Sequence, residues 1–367
     1  MLTTPLHALH LKLGAKMTAF AGYEMPLQYP DGVIREHLRT RQAAGLFDVS
    51  HMGQVRISGP GCVDGLESLL PADLASLPVD HLVYSLLTNE QGGVRDDLIV
   101  TRRGENEFSL VLNAACKAAD IAYLRERLPG LEIDDGPQQA LLALQGPAAR
   151  AVLGTVFPEA LELRFLQGCR CTIEGVDAYL SCCGYTGEDG FEISVPEAAA
   201  QTIARRLLAQ HSVKPAGLGA RNSLRLEAGL CLYGHELDES ITPVEAGLLW
   251  SIGGARREQG ERAGGFPGAS EIFKRRAEGP SRRRVGLMVN GKRPLRDGQP
   301  VLDRAGRQVG VVSSACYAPS LGRPIAMAFV EAELAGLGRE LSVDARGKLL
   351  PVTVAAMPFV PTRYYRG

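Results

Sequence analysis

The chain has 367 residues, 45% of them hydrophobic and 22% charged, with a formal net charge of −1. That describes a soluble globular protein, too long for one ordinary core and long enough for two or three domains. The balanced charge gives no reason to expect nucleic acid, and no run approaches the roughly 18 apolar residues of a membrane helix.

The eight cysteines include no Cys-x-x-Cys clip. A zinc site is therefore not expected, and the thiols read as small hydrophobes in a reducing compartment. Met1-Leu2-Thr3-Thr4-Pro5 enters structured-looking sequence with neither a signal-peptide apolar core nor an Arg/Ser-rich transit segment. The simplest reading is a bacterial-type cytoplasmic protein, with a processed organellar form left open.

In chain order, Asp31-Gly32 and Gly45 bracket a helix over 33–44, whose charged face is expected to be solvated. Leu46-Phe47-Asp48-Val49-Ser50-His51-Met52 leads into the alternating strand Gln54-Val55-Arg56-Ile57. His51 has no paired acid in sequence, which favours a structural hydrogen-bonding role over acid-base chemistry. A helix over 61–70 and apolar runs at 84–87, 97–100 and 108–112 predict a β-meander, followed by a helix over 118–128. Strands and helices thus mix in an α+β way rather than as strict βαβ repeats. Residues 139–145 read as a further strand, closed by Gly146-Pro147 at a helix start.

The most informative stretch is Gly92-Gly93-Val94-Arg95-Asp96-Asp97-Leu98-Ile99-Val100. A glycine turn delivers two carboxylates to the start of an apolar strand, where they point to opposite faces. Leu98 and Val100 share the face of Asp96, and Ile99 shares that of Asp97, so both faces look covered and a partly buried acid is plausible. Taken alone, the pair reads equally as acids favoured by a turn.

In Cys183-Gly184-Tyr185-Thr186-Gly187-Glu188-Asp189-Gly190, three glycines make a tight turn. After it Phe191, Ile193 and Val195 alternate with Glu192 and Ser194, so the pattern alone makes Glu192 an exposed charge. Arg221 and Arg225 share one face of a helix over 221–230, and Glu227 has no basic neighbour three or four positions away, so its partner must come from elsewhere in the fold. Thr242-Pro243-Val244-Glu245 is a capping box predicting a helix as far as Trp250, the single tryptophan. Residues 253–280 shift to Gly, Ala, Arg and Glu and read as a linker with some helix. Short alternating runs then predict a small all-β domain. Arg282-Arg283-Arg284 reads as a solvated boundary, one member of which could reach an anion.

These motifs together resemble the T-protein aminomethyltransferases of the glycine cleavage system. The resemblance runs through Thr4-Pro5-Leu6, Phe20-Ala21-Gly22, the 46–52 segment, Gly92-Gly93 with Asp96-Asp97, Leu144-Gln145-Gly146-Pro147, Gly184-Tyr185-Thr186-Gly187-Glu188, the 220–230 segment and Phe359-Val360. Tyr23 stands where that family commonly has Trp.

The resemblance implies a three-domain cloverleaf around a folate channel. A discontinuous first domain would span 1–52 and 138–255, a ferredoxin-like α+β domain 53–137, a linker 256–281, and a C-terminal β-barrel 282–367. It also implies transfer of a one-carbon unit from an aminomethyl group on the lipoylated H-protein to tetrahydrofolate, with no metal. Asp97 would lie beside the reacting folate nitrogens. Glu192, Arg221 and Tyr364 would bind the folate, with Met52, Tyr84, Asn113, Trp250 and Arg284 as further channel residues.

Three other readings belong to the same superfamily. A non-catalytic folate-binding relative commonly carries Lys-Gly-Cys-Tyr/Phe-x-Gly-Gln-Glu, where this chain has Ala228-Gly229-Leu230-Cys231-Leu232-Tyr233-Gly234-His235-Glu236. A flavin-fused oxidoreductase would open with a dinucleotide fingerprint, which is missing here. A folate-dependent demethylase is the remaining alternative.

Overall fold

The computed structural model of the chain describes residues 1–136, 139–173 and 175–367. The expected domain boundary at 137/138 falls on residues outside that description. The architecture is α+β, with two large sheets and a closed barrel.

The six-stranded sheet runs in the order Gly168–Ile173, Val176–Ser181, Gly190–Pro196, Gln139–Gln145, Ala44–Asp48, Val213–Pro215. The alternation read along 191–195 sets its two faces. Phe191, Ile193 and Val195 are fully buried in one core with Leu153, Ile203 and Leu207 of the helices Ala149–Gly154 and Glu197–Leu208. Glu192 and Ser194 are thereby turned to the other face.

That other face meets the five-stranded sheet, ordered Leu82–Thr88, Val94–Gly104, Glu107–Leu112, Gly53–Ser58, Glu132–Asp134. Ser194 Oγ donates to Gln54 Oε1 across the gap at 2.6 Å. Leu98 and Val100, on the Asp96 side of their strand, are buried with Leu124 of the helix Lys117–Arg127. The opposite side, carrying Asp97, Thr101 and Arg103, therefore looks toward the six-stranded sheet. A cavity of about 480 Å³ lies between the two faces, lined by Glu192, Ser194, Tyr179, Thr101, Arg103 and Val111 among others.

The barrel closes in the order Arg282–Val289, Arg323–Glu331, Gln308–Ala318, Pro300–Leu302, Glu340–Asp344, Leu349–Ala355. Four of these strands match the alternating runs. Pro300–Leu302 is too short to show a period, Glu340–Asp344 alternates over only five residues, and the N-terminal hairpin of Lys16–Phe20 and Tyr23–Gln28 is not among the elements expected from the sequence.

Several expectations are corrected. The charged face of the helix Val33–Gln42 is not solvated, since Glu36, His37 and Arg41 are buried. Glu227 is where His37 and Arg41 converge. It accepts from His37 Nε2 at 3.1 Å, Arg41 Nη2 at 3.0 Å, and the backbone and hydroxyl of Ser320 at 3.0 and 2.7 Å. The partner that Glu227 lacked on its own helix thus comes from a second helix and a barrel loop.

The Thr242–Glu245 capping box forms, with Glu245 Oε2 accepting from Thr242 N and Oγ1 at 2.8 Å each, yet no α-helix follows. The barrel takes the carbonyls that would continue it. Arg284 N donates to Glu245 O at 2.9 Å and Arg284 Nε to Ala246 O at 2.8 Å, and Gly247 turns away at φ +72°. Only the 3₁₀ turn Leu249–Ser251 remains.

The 253–280 stretch packs rather than links. Phe266, Ala269 and Ile272 are buried with Val244 and Ile252, and buried Arg256 donates to Glu67 O and Gly264 O at 2.7 Å each. The anion reached from the arginine triplet is Glu245, which Arg282 Nε meets at 2.8 Å.

Candidate functional site

Two groups of side chains converge where the sheets face each other. The first is built on the strand Val94–Gly104, whose start is fixed by a close approach: a Cβ at Gly93 would collide with the Glu239 carbonyl, so only glycine lets the chain pass there. Two residues on, the strand presents its paired acids. Tyr84, on the neighbouring strand, donates from its hydroxyl to Asp97 Oδ2 at 3.0 Å. Asn113, just after Glu107–Leu112, donates from Nδ2 to Asp97 Oδ1 and to Asp96 Oδ1 at 2.8 Å each. One amide thus locks both acids, and the Tyr84 ring stacks on Trp250 with centroids 5.2 Å apart.

Burial, and then the charge of Asp96, push the Asp97 carboxyl up to about 7, while the bonds from Tyr84 and Asn113 pull it back. Near neutral pH this acid is poised between its two forms. Both faces of the strand are covered, as the alternation suggested: Asp96 is completely buried and Asp97 half-buried at the sheet-sheet junction.

The second group is Glu192, Arg221, Cys183 and Tyr185. Glu192 is raised by burial, an effect opposed by the Arg221 charge and by a hydrogen bond from Cys183. Arg221 is lowered by burial and held up by Glu192. Its guanidinium lies 4.7 Å over the Tyr185 ring, and its buried Nη1 has no hydrogen-bond partner among the described residues. Tyr185 lies under the Arg221 guanidinium and donates from its hydroxyl to Cys231 O. The exposed reading of Glu192 is therefore corrected, because its "wet" face is covered by the opposing sheet.

The remaining expected residues divide. Tyr364 stacks on Phe165 with centroids 4.0 Å apart, and burial followed by the Cys183 charge pushes its hydroxyl up to about 12, which sets it beside the second group. Met52 is partly buried against the cluster that contains Phe47, Val49, Leu141 and Ala143. Arg284 is engaged in the scaffold through two of its nitrogens, Nε and Nη1, which hold Ala246 O and Gly229 O at 2.8 Å each. It fastens the barrel to the segment after Glu227.

Sequence reasoning missed Tyr185 and Cys183, although both stood in a quoted motif. It also gave His51 too little weight. His51 is buried with Nδ1 unpartnered, so the hydrogen-bonding role expected of it is absent at that atom. Burial and the Arg221 charge lower it to about 4, leaving a neutral ring edge-on to Phe20 and Tyr23. Unmet donors and acceptors in a buried place signal a missing group of complementary chemistry.

Comparison with known proteins decides the family. The family described as GCVT N-terminal domain matches residues 6–255, and that described as Glycine cleavage T-protein C-terminal barrel domain matches 282–361. The chain belongs to the glycine cleavage T-protein family. The mitochondrial aminomethyltransferase of Dictyostelium discoideum is 44% identical, over 98% of this chain and 93% of that protein. The mitochondrial aminomethyltransferases of Gallus gallus and Homo sapiens are 46% and 45% identical, each over 99% of this chain and over 93% and 91% of their own lengths. The crystal structure of the glycine cleavage system aminomethyltransferase T from Bartonella henselae superposes with TM-score 0.94 at 42% identity, covering 100% of this chain and 99% of that one. The T-protein family thus accounts for both the α+β part and the barrel.

The expectation of a cytoplasmic protein is corrected by the same relatives, whose names place them in mitochondria. It had rested on the lack of a leader at Met1, and a leader is no part of the folded T-protein scaffold, so the argument carried no weight. No helix among the described residues is long and apolar enough to cross a membrane.

Proposed function

We propose that Asp97 is the reacting-site acid of a tetrahydrofolate-dependent aminomethyl transfer, with Glu192 and Arg221 holding the pterin and Tyr364, Tyr84, Trp250, Asn113 and Met52 bordering the folate. Membership of the T-protein family makes the chain an aminomethyltransferase of the glycine cleavage system. The donor is the aminomethyl group on the lipoyl sulfur of the H-protein. Its carbon leaves sulfur and amine and becomes bound to two folate nitrogens. The two folate N–H protons leave with the dihydrolipoyl thiol and with ammonia, and 5,10-methylenetetrahydrofolate is the remaining product.

The observation that carries this reading is the facing of two sheet surfaces, one presenting Asp97 and the other Glu192 with Arg221 beyond it. The folate nitrogen is the nucleophile, so the protein needs no Ser, Cys or Lys attack, and the reading calls for no metal. Its part is placement and charge. Ionised Asp97, fixed by Tyr84 and Asn113, stabilises positive charge that develops on the migrating carbon and its amine. Glu192 can accept two parallel N–H bonds from a 2-aminopyrimidinone edge.

The domain division is part of the proposal. The six-stranded sheet draws strands from before and after the five-stranded one, which supports a discontinuous first domain of 1–52 and 138–255 around a domain of 53–137, with the barrel from 282 onward. The test is turnover with lipoylated, aminomethylated carrier and tetrahydrofolate, following ammonia and methylene-folate together. Formation of both in equal amounts is expected. Ammonia release that does not depend on folate would overturn the assignment.

A further inference from the structure

Beneath Asp97, on the other face of the same strand, lies an acid cluster that the proposed reaction does not touch. Asp96 is 0% and Asp120 2% exposed, and their carboxylates and the Cys116 thiol each bring one atom within 4.8 Å of the others. Two carboxylates so close and so dry do not both ionise unless a counter-charge answers them. The nearest cation, Arg95, stacks 4.4 Å over the Tyr123 ring and leaves its Nε unpartnered. Asp120 Oδ2 is likewise buried without a donor.

The two acids are not equivalent. Asp96 accepts from Asn113 N at 3.0 Å and Asn113 Nδ2 at 2.8 Å, and has the Cys116 thiol and the Asp120 carboxyl as its near neighbours. An ionised carboxylate has room for about four donors. Asp120, on the helix Lys117–Arg127, faces Asp96 and Glu239, which disfavour its charge, and Arg95, which favours it. Tyr233 and Cys116 complete the surroundings as neutral groups, both raised chiefly by burial. Burial first, and then Asp96, drive Asp120 well above the usual carboxylate range.

We propose that Asp120 is a protonated carboxylic acid whose O–H is donated to ionised Asp96, and that this carboxyl pair positions the Asn113 amide against Asp97. Asp120 is then a positioning residue, three hydrogen bonds removed from Asp97. The positioning half rests on the role proposed for Asp97. The shared proton does not.

The linkage sign follows from a raised carboxyl. Folded Asp120 keeps its proton where unfolded Asp120 has lost it, so its contribution is fully present below about pH 4 and is lost as pH rises toward the native value. Asp120→Asn can donate to Asp96 but cannot titrate. Its melting temperature relative to the parent should therefore rise steadily between about pH 5 and pH 8. A flat difference overturns the proposal.

Infrared spectra supply a readout independent of catalysis. At about pH 8, where Asp97 is mostly ionised, the parent should show a protonated-carboxyl stretch that Asp120→Asn lacks. If that variant does not fold, the parent spectrum decides alone, and absence of the band refutes the shared proton. Stoichiometric divalent metal in the purified protein, with a melting temperature that falls on chelation, would also overturn it by showing a cation in place of the proton. For positioning, Asp120→Ala should lower kcat with little change in the KM for folate, and Asn should restore kcat. Equal loss in Ala and Asn would leave Asp120 with no part in positioning Asn113.

Discussion

The acid at the centre of the site gives the sharpest prediction. Asp97 is pushed up to about 7, so it is the titration of this group that should limit activity on the acid side. Protonation removes the charge that stabilises the transferring carbon. The kcat/KM for carrier should therefore fall roughly tenfold per pH unit below about pH 7 and level off above it. The cause can be tested separately from the effect. Asp96 and Asp97 both bond one amide nitrogen at 2.8 Å, so the nearest oxygens are less than roughly 6 Å apart. At an effective dielectric of about 20, two unit charges at that distance repel by about 3 kcal/mol, or roughly two pH units. Asp96→Asn should accordingly move the acid limb down by as much as that, while Asp97→Asn should abolish it. A carboxylate about 4 Å from a developing cation contributes roughly 4 kcal/mol on the same basis, so Asp97→Asn should lower kcat by about 10³ with folate affinity nearly kept. The assay is single-turnover formation of methylene-folate from about pH 5.5 to 8.5. An acid limb that persists in Asp97→Asn would refute the assignment.

Three further outcomes are expected. Glu227→Ala leaves His37 and Arg41 facing a buried void, and breaking a buried pair from one side costs about 3–5 kcal/mol, measurable by urea unfolding; a loss under about 1 kcal/mol would show the network to be dispensable. Reduced folate at about 100 times its Kd should stabilise the parent by roughly 2.7 kcal/mol, and Glu192→Gln should shrink that shift without changing the unliganded melting temperature. Arg284→Ala should lower stability by about 1–3 kcal/mol while leaving folate Kd unmoved, because two of its guanidinium nitrogens hold the Ala246 and Gly229 carbonyls; a large loss of folate affinity would return it to the site.

What could be read from the sequence follows its periodicities. The 139–145 strand and the meander stand where their apolar runs put them, and the strand at 191–195 stands where its alternation put it, with Phe191, Ile193 and Val195 in a core. The same alternation gave the wrong environment for Glu192, since pattern tells which face a residue takes but not what covers that face. The helix expected after the Thr242–Glu245 box fails for a related reason. Its local signals are present and its caps form, but Arg284, some forty positions away, removes the carbonyls it needs. His37 and Arg41 read as solvent-facing because their partner Glu227 lies 186 or more residues on. The site residues themselves came from family motifs, and no local pattern would have joined Asp97 to Arg221.

The helix Leu218–Glu227 shows how placement chemistry is separated from scaffold chemistry within ten residues. Arg221 and Arg225 lie one turn apart; Arg225 is fully buried and Arg221 partly so. Arg225 is answered at every branch, by Asn222 Oδ1 and Glu236 Oε2 at 2.9 Å and by Ser314 Oγ at 2.8 Å. It joins the helix to a loop and to a barrel strand, and a fixed, neutralised guanidinium can do nothing else. Arg221 is left with an aromatic face and an Nη1 unpartnered among the described residues, and the Glu192 carboxylate answers its charge. Leaving a buried donor unmet costs about 1–3 kcal/mol, a cost that the fully paired cluster around Arg225 and Glu227 is positioned to offset. A ligand that completes the hydrogen bonding of Arg221 recovers that energy on binding. The same ligand is held against an Asp97 that Tyr84 and Asn113 have already fixed, so recognition and reaction geometry are set by one arrangement of incomplete pairs.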